Sequence, residues 1–255
     1  MTIQEKNFPE GMVPLGTEPF SFKCHPGVSC FTVCCRKVDL ILYPYDVIRL
    51  KNNLNLSSGD FLNRYARPVQ GQNPYFPTLM LRLNDEGTGS CPFLTEQGCS
   101  VYDDRPTDCR TYPLERAVDR NPDNRKKNDY YFIVHHDYCK GHKESEEFTV
   151  KQWIRNQRLD VYNTYNELWT DMDTFFQSNP WKGEGVGGPG QQVAFMVCYN
   201  IDMFRGFCGE HKILERFKIT RDRRRGIEKD DFELLKFGFD WLKHINGVQS
   251  GLVQK

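Results

Sequence analysis

Eight cysteines fall within the first 139 residues, and four of them, Cys24, Cys30, Cys34 and Cys35, lie within twelve positions. Cys91, Cys99, Cys109 and Cys139 complete the set. No secretory leader is expected, and so many thiols in one region then point to metal, because a reducing compartment disfavours structural disulfides. Met1–Phe20 carries Glu5, Lys6, Glu10 and Glu18 and no apolar run, and no later stretch is long and apolar enough to cross a bilayer. The expectation is a soluble, cytoplasmic protein with reduced thiols. A disulfide framework is the competing reading of the same cysteines.

The spacing narrows the chemistry. Cys24-x5-Cys30-x3-Cys34-Cys35 lacks the Cys-x2-Cys pairs of zinc ribbons and fingers. Adjacent residues diverge by about 100° on a helix and face opposite ways on a strand. Cys34 and Cys35 are therefore expected to face apart and to serve different metal atoms. Eight thiolates suit two four-cysteine sites, holding clusters, zinc ions or one of each. Thiolates suit both metals, and the adjacent pair favours an iron–sulfur cluster of the [4Fe-4S] type, with zinc as the alternative. Ligands spread from Cys24 to Cys139 would make the metal part of the fold.

Thiolates around a metal leave negative charge to be offset. Arg36, Lys37, Arg105 and Arg110 flank the cysteines closely enough to do so, Arg110 foremost because it follows Cys109 directly. His142 has ligand spacing from Cys139 and is expected outside the ligand set, and His25 beside Cys24 is open to either reading. His135 and His136 are expected to end a strand and point to opposite faces, so that at most one approaches the centre. Cys198 fits an apolar helix face with Ala194, Val197 and Ile201 and reads as core. Cys208 has only His211 near it in sequence.

The positioning elements are helix-rich. A helix is expected over Pro44–Asn53, with proline in its opening turn. Ser57 and Asp60 resemble a capping box before a second. Leu79–Leu83 and Tyr131–Val134 read as short strands, and Pro106 opens a helical turn carrying Cys109. A long amphipathic helix is expected from Phe148, with helices near Gln191–Phe207 and Asp230–Ile245. The fold class is therefore α+β: an irregular cysteine-cluster metal domain with a few short strands, packed against a C-terminal helical region. The organisation expected is an N-terminal extension (1–20), the metal domain (21–145), the amphipathic helix (146–182), a flexible glycine-rich loop (183–190) and the helical region (191–255).

Thirty-four basic and thirty-four acidic residues cancel, which argues against general attraction to nucleic acid or to anionic membrane. The dense basic run Arg221–Arg225 precedes an equally acidic stretch and reads as a solvated loop. A protein partner or protein substrate is compatible with this balance.

Cys24 through Cys35, then Cys91-Pro-Phe-Leu, then Cys99-Ser-Val-Tyr-Asp-Asp-Arg-Pro-x-x-Cys109-Arg-x-Tyr-Pro113, closely resemble the YkgJ-type cysteine-cluster proteins over about residues 20–145. That family is described as chelating zinc or iron through a CxxCxxCC-type signature. Its late cysteine corresponds to Cys139 in Cys139-Lys-Gly-His142. The first gaps here are five and three residues where the signature has two. Flagellin lysine N-methylases are similar in this domain. The resemblance thus implies a second possibility, a protein-lysine N-methylase using S-adenosylmethionine, although the chain shows neither a strand leading into a Gly-x-Gly-x-x-Gly unit nor the Cys-x3-Cys-x2-Cys trio of radical enzymes.

Overall fold

A computed structural model describes residues 13–36, 38–84, 89–119 and 128–255. In chain order the elements are β1 (Phe20–Ser21), α1 (Pro44–Asn53), α2 (Ser58–Tyr65), β2 (Ala66–Val69), β3 (Thr78–Leu81), β4 (Leu94–Thr95), β5 (Gly98–Cys99) and α3 (Thr107–Thr111). They continue with β6 (Leu114–Asp119), β7 (Asn128–Ile133), β8 (Glu147–Phe148), α4 (Val150–Asn156), α5 (Leu159–Gln177) and α6 (Pro189–Tyr199). The last are α7 (Ile201–Glu210), α8 (Arg221–Lys229) and α9 (Asp231–Ile245). The strands form four two-stranded antiparallel sheets, so the molecule is a helix-rich α+β protein. No described helix is long and apolar enough to cross a membrane.

The chain divides into two compact units, Met1–Cys35 with Asp108–Asp160, and Arg36–Thr107 with Val161–Lys255. The first has the β6–β7 hairpin as its largest sheet, in register from Leu114↔Ile133 to Asp119↔Asn128. β1 pairs with β8 through Phe20↔Phe148. A small aromatic core of Phe20, Phe22, Leu114, Tyr131, Trp153 and Leu159 fills the space between them. Trp153 is fixed there by donating its indole N–H to the Thr111 carbonyl at 3.1 Å. Burying an indole requires such a partner.

The second unit holds the larger core, in which Leu42, Leu50, Phe61, Leu79, Phe176, Phe204 and Phe237 are essentially inaccessible. Pro44 opens α1 as expected. The buried carboxylate of Asp46 accepts from the Tyr43 amide at 3.1 Å and from the amide and hydroxyl of Thr107 at 3.0 and 2.8 Å. Ser57 caps α2 by accepting from the Asp60 amide at 3.0 Å. α9 passes α6 and α7 closely enough that a Cβ at Gly238 would lie 2.5 Å from Val197 Cγ1, so only glycine fits.

Four expectations need correction. The helix expected near Gln191–Phe207 is two, α6 and α7, parted at Asn200, whose φ of −107° and ψ of 67° are not helical. The helix expected from Phe148 is two helices, because Arg158 takes a left-handed φ of 53° between α4 and α5, a conformation that ends helices. Arg221–Arg225 is not a loop but the body of α8. Thr220 caps it from the Arg223 amide, Ile227 is buried, and Arg223 pairs with Asp240 at 3.2 Å. Within the glycine-rich segment, Pro189 and Gly190 already belong to α6, and the Glu184 carboxylate accepts from the Gly190 amide at 2.8 Å.

Candidate metal centre

The first unit contains six of the eight predicted cysteines: Cys24, Cys30, Cys34, Cys35, Cys109 and Cys139. Cys91 and Cys99 belong to the second unit, beside the β4–β5 hairpin in which Leu94 pairs with Cys99. None of the ten cysteines is in a disulfide.

The segment from Cys24 to Cys35 has no long helix or strand and is wound by consecutive turns. The Val28 amide donates to the His25 carbonyl, Phe31 to Val28, Val33 to Cys30 and Cys35 to Thr32, all between 2.9 and 3.0 Å. Thr32 is left-handed at φ 66°, which tightens the winding just before the adjacent pair. This segment is stitched to the Cys139 turn. The Lys23 amide donates to the Gly141 carbonyl at 3.0 Å, and the Lys140 amide donates to Cys30 Sγ at 3.0 Å. Gly141 has to be glycine, since a Cβ there would lie 2.8 Å from both the Lys23 carbonyl and the Phe22 ring.

Around this junction the thiols share a set of aromatic neighbours. Burial first, and then the charges of Cys34, Cys139 and Cys30, raise the Tyr138 hydroxyl above its ordinary value. Burial, followed by a hydrogen bond with Cys139, raises Tyr112 well above its own. Cys30, Cys34 and Cys139 are thus gathered on one neighbourhood from two distant stretches of sequence. The pair Cys34–Cys35 departs from expectation. A hydrogen bond with the Cys35 side chain brings the Cys34 thiol down to about 7, against the opposing effect of burial. The two sulfurs are therefore within reach of each other rather than facing apart. They occupy a short 3-10 turn, Val33–Cys35.

The histidines gather here too. β7 ends at Ile133, so His135 and His136 lie in the turn beyond it and are not bound to opposite strand faces. His136 stacks between Tyr112 and Tyr138, with ring centroids at 5.7 and 5.1 Å, and His135 lies against His142 at 4.2 Å. Burial and the neighbouring His135 lower the His142 value. His25 is held by Glu144 at 3.1 Å.

The cationic candidates separate. Arg110 is buried in the first unit and donates to the Gln157 carbonyl at 2.7 Å, capping the end of α4. Arg105, in the second, donates to the Tyr102 carbonyl at 2.6 Å and lies over the Tyr102 ring at 3.9 Å. Arg36 is exposed and bridges to Ser90. Lys37 lies outside the described residues. Cys198 is core, as its helix face implies, and burial pushes its thiol up. Cys208 is likewise buried, with its thiol pushed up to about 12.

The donor types suit a thiophilic metal: cysteine sulfurs from two stretches of sequence, a main-chain N–H aimed at one of them, and an adjacent pair that interact. Among the described residues no three Cys, His, Asp or Glu side chains stand together at metal-binding geometry. What is assembled is the second layer of contacts around the sulfurs. The aromatic ring positions and the Lys140 donor were not legible from cysteine spacing, since they depend on a contact 110 residues apart in sequence.

The family model CxxCxxCC, described as "Putative zinc- or iron-chelating domain", matches residues 23–149. No curated protein and no solved structure matches the chain.

Proposed function

From membership of the CxxCxxCC family over residues 23–149, we propose that this protein binds metal through the first-unit thiols. Cys30, Cys34 and Cys139 form the heart of the site, with Cys24, Cys35 and Cys109 as further donors. The observation that carries the reading is the N–H···S bond from Lys140 to Cys30 at 3.0 Å, which aligns the turn bearing Cys139 with the first cysteine segment. Main-chain donors to sulfur stabilise thiolate over thiol and are the outer contacts that tune metal–sulfur centres.

The form we propose is an iron–sulfur cluster. Sulfur-only donors and N–H···S bonding suit it, whereas the first segment lacks the paired Cys-x2-Cys spacing of structural zinc. When bound, the cluster would supply one-electron redox chemistry. Cys24, Cys34 and Cys109 are exposed, an arrangement better suited to exchanging electrons or metal with a partner than to a closed structural site. Anaerobic isolation with iron, zinc and acid-labile sulfide analysis tests the reading. Iron with equimolar sulfide supports it, and zinc without sulfide replaces the cluster with a mononuclear site.

A further inference from the structure

The turn that follows Cys139 holds both ends of the first cysteine loop. At the far end, the Lys140 amide donates to Cys30 Sγ at 3.0 Å. At the near end, the Lys23 amide donates to the Gly141 carbonyl at 3.0 Å, and His25 Nε2 meets the Glu144 carboxylate at 3.1 Å. Residues 140–144 can hold both ends because they are wound on themselves. The Lys143 amide donates to the Lys140 carbonyl at 3.0 Å, and the Glu144 amide to the Gly141 carbonyl at 3.3 Å. Both nitrogens of the His25 ring are engaged. The Gly27 amide donates to Nδ1 at 3.2 Å, so Nδ1 presents a lone pair and the ring hydrogen lies on Nε2, which donates it to Glu144. The ring has no nitrogen left for a metal.

We propose that His25 is a positioning residue of the metal centre and not a ligand. By bridging Gly27 and Glu144, it latches the loop from Cys24 to Cys30 onto the Cys139 turn before metal arrives. The inference rests on the metal-binding reading above. A loop held at both ends has fewer arrangements to lose when its cysteines take up their places, and a site ordered in advance binds more tightly. Both partners of the latch are about one-third exposed, at 37% and 35%. Its contribution is therefore that of an ordinary hydrogen bond, roughly three- to tenfold in metal affinity.

The test uses the full chain, anaerobic, with Co(II) as the probe and a chromogenic chelator as competitor. The cobalt absorption bands report on the ligand set separately from the affinity. His25→Ala and Glu144→Ala should each weaken cobalt binding roughly three- to tenfold. Cobalt stoichiometry, the absorption bands and the far-ultraviolet circular dichroism spectrum should stay unchanged in both. The double variant should bind no more weakly than the weaker single one, because both changes remove the same bond. Glu144→Gln keeps an acceptor for the Nε2 hydrogen and should bind nearly as wild type. Lys23→Ala breaks the neighbouring ion pair with Glu146 at 2.8 Å, spares the latch, and should also bind as wild type. Wild-type affinity in His25→Ala, additive losses in the double variant, or a loss in Glu144→Gln or Lys23→Ala equal to that in His25→Ala would overturn the assignment. Altered cobalt bands in His25→Ala would overturn it too, by making the ring a ligand. Failure of the wild-type chain to take up cobalt would instead remove the metal reading itself and this inference with it.

Discussion

Lys140 donates its backbone N–H to the Cys30 sulfur at 3.0 Å, tying the residue after Cys139 to the first cysteine segment. The Lys140 side chain turns away and donates to the Asp137 carbonyl at 2.7 Å. Main chain and side chain can therefore be separated by mutation. Lys140→Ala should leave metal content unchanged, whereas Lys140→Pro removes the N–H donor. A hydrogen bond to a charged group contributes about 1.5–3 kcal/mol, so Lys140→Pro should bind metal at least about tenfold more weakly. Competition with a chromogenic chelator measures both.

Cys34→Ser and Cys35→Ser should each reduce the metal bound per chain, since both thiols belong to the proposed donor set and the Cys35 side chain lowers the Cys34 thiol. Cys198→Ser should keep its metal. Its cost falls on stability instead, at roughly 1–3 kcal/mol, because a hydroxyl replaces a thiol that is 1% exposed in an apolar core. Metal analysis and denaturant unfolding of the three variants separate the two effects.

Removal of the metal should loosen the first unit selectively. Its core is small and aromatic, and the segment from Cys24 to Cys35 is held by turns rather than by long elements. Binding energy at such a site is folding energy. Hydrogen exchange after chelation should accelerate in residues 22–35 and 134–142, while the amides of α6, α7 and α9 keep their protection.

In the second unit, Asp231 accepts from Lys51 at 2.8 Å and from Arg205 at 2.6 Å. Burial alone would push its carboxyl up, but the hydrogen bonds and charges of Lys51 and Arg205 prevail and hold it below the ordinary carboxylate value. A depressed folded-state value contributes stability that is present above the unfolded carboxylate pKa, about 3.9, and is lost as pH falls through the folded one. Asp231→Asn should therefore cost roughly 1–3 kcal/mol at pH 7. The gap between mutant and wild type should narrow below about pH 4. Urea titrations from pH 3 to pH 7 measure that convergence.

Local signals in the sequence carried the elements they control. Pro44 opens α1, Ser57 caps α2, and the apolar stripe from Leu234 to Leu242 builds α9. The break at Arg158 left no mark, because a left-handed arginine is chosen by its surroundings and not by its own preference. Thr220 was a readable cap for α8, but the density of arginines after it masked the signal. For the site, the cysteines themselves were evident. Their division between two units, the contact of Cys34 with Cys35 and the convergence of His135, His136 and Tyr112 were not. Each of those follows from long-range packing or from turn geometry, on which spacing says nothing.

The most direct test of the central claim is metal and acid-labile sulfide analysis of anaerobically purified protein, with its visible spectrum, for the wild type and for Cys30→Ser. The account predicts iron with equimolar sulfide, a broad band near ~400 nm bleached by dithionite, and loss of both in Cys30→Ser. Wild-type protein that contains neither iron nor zinc, or that keeps its full metal content in Cys30→Ser, would contradict it.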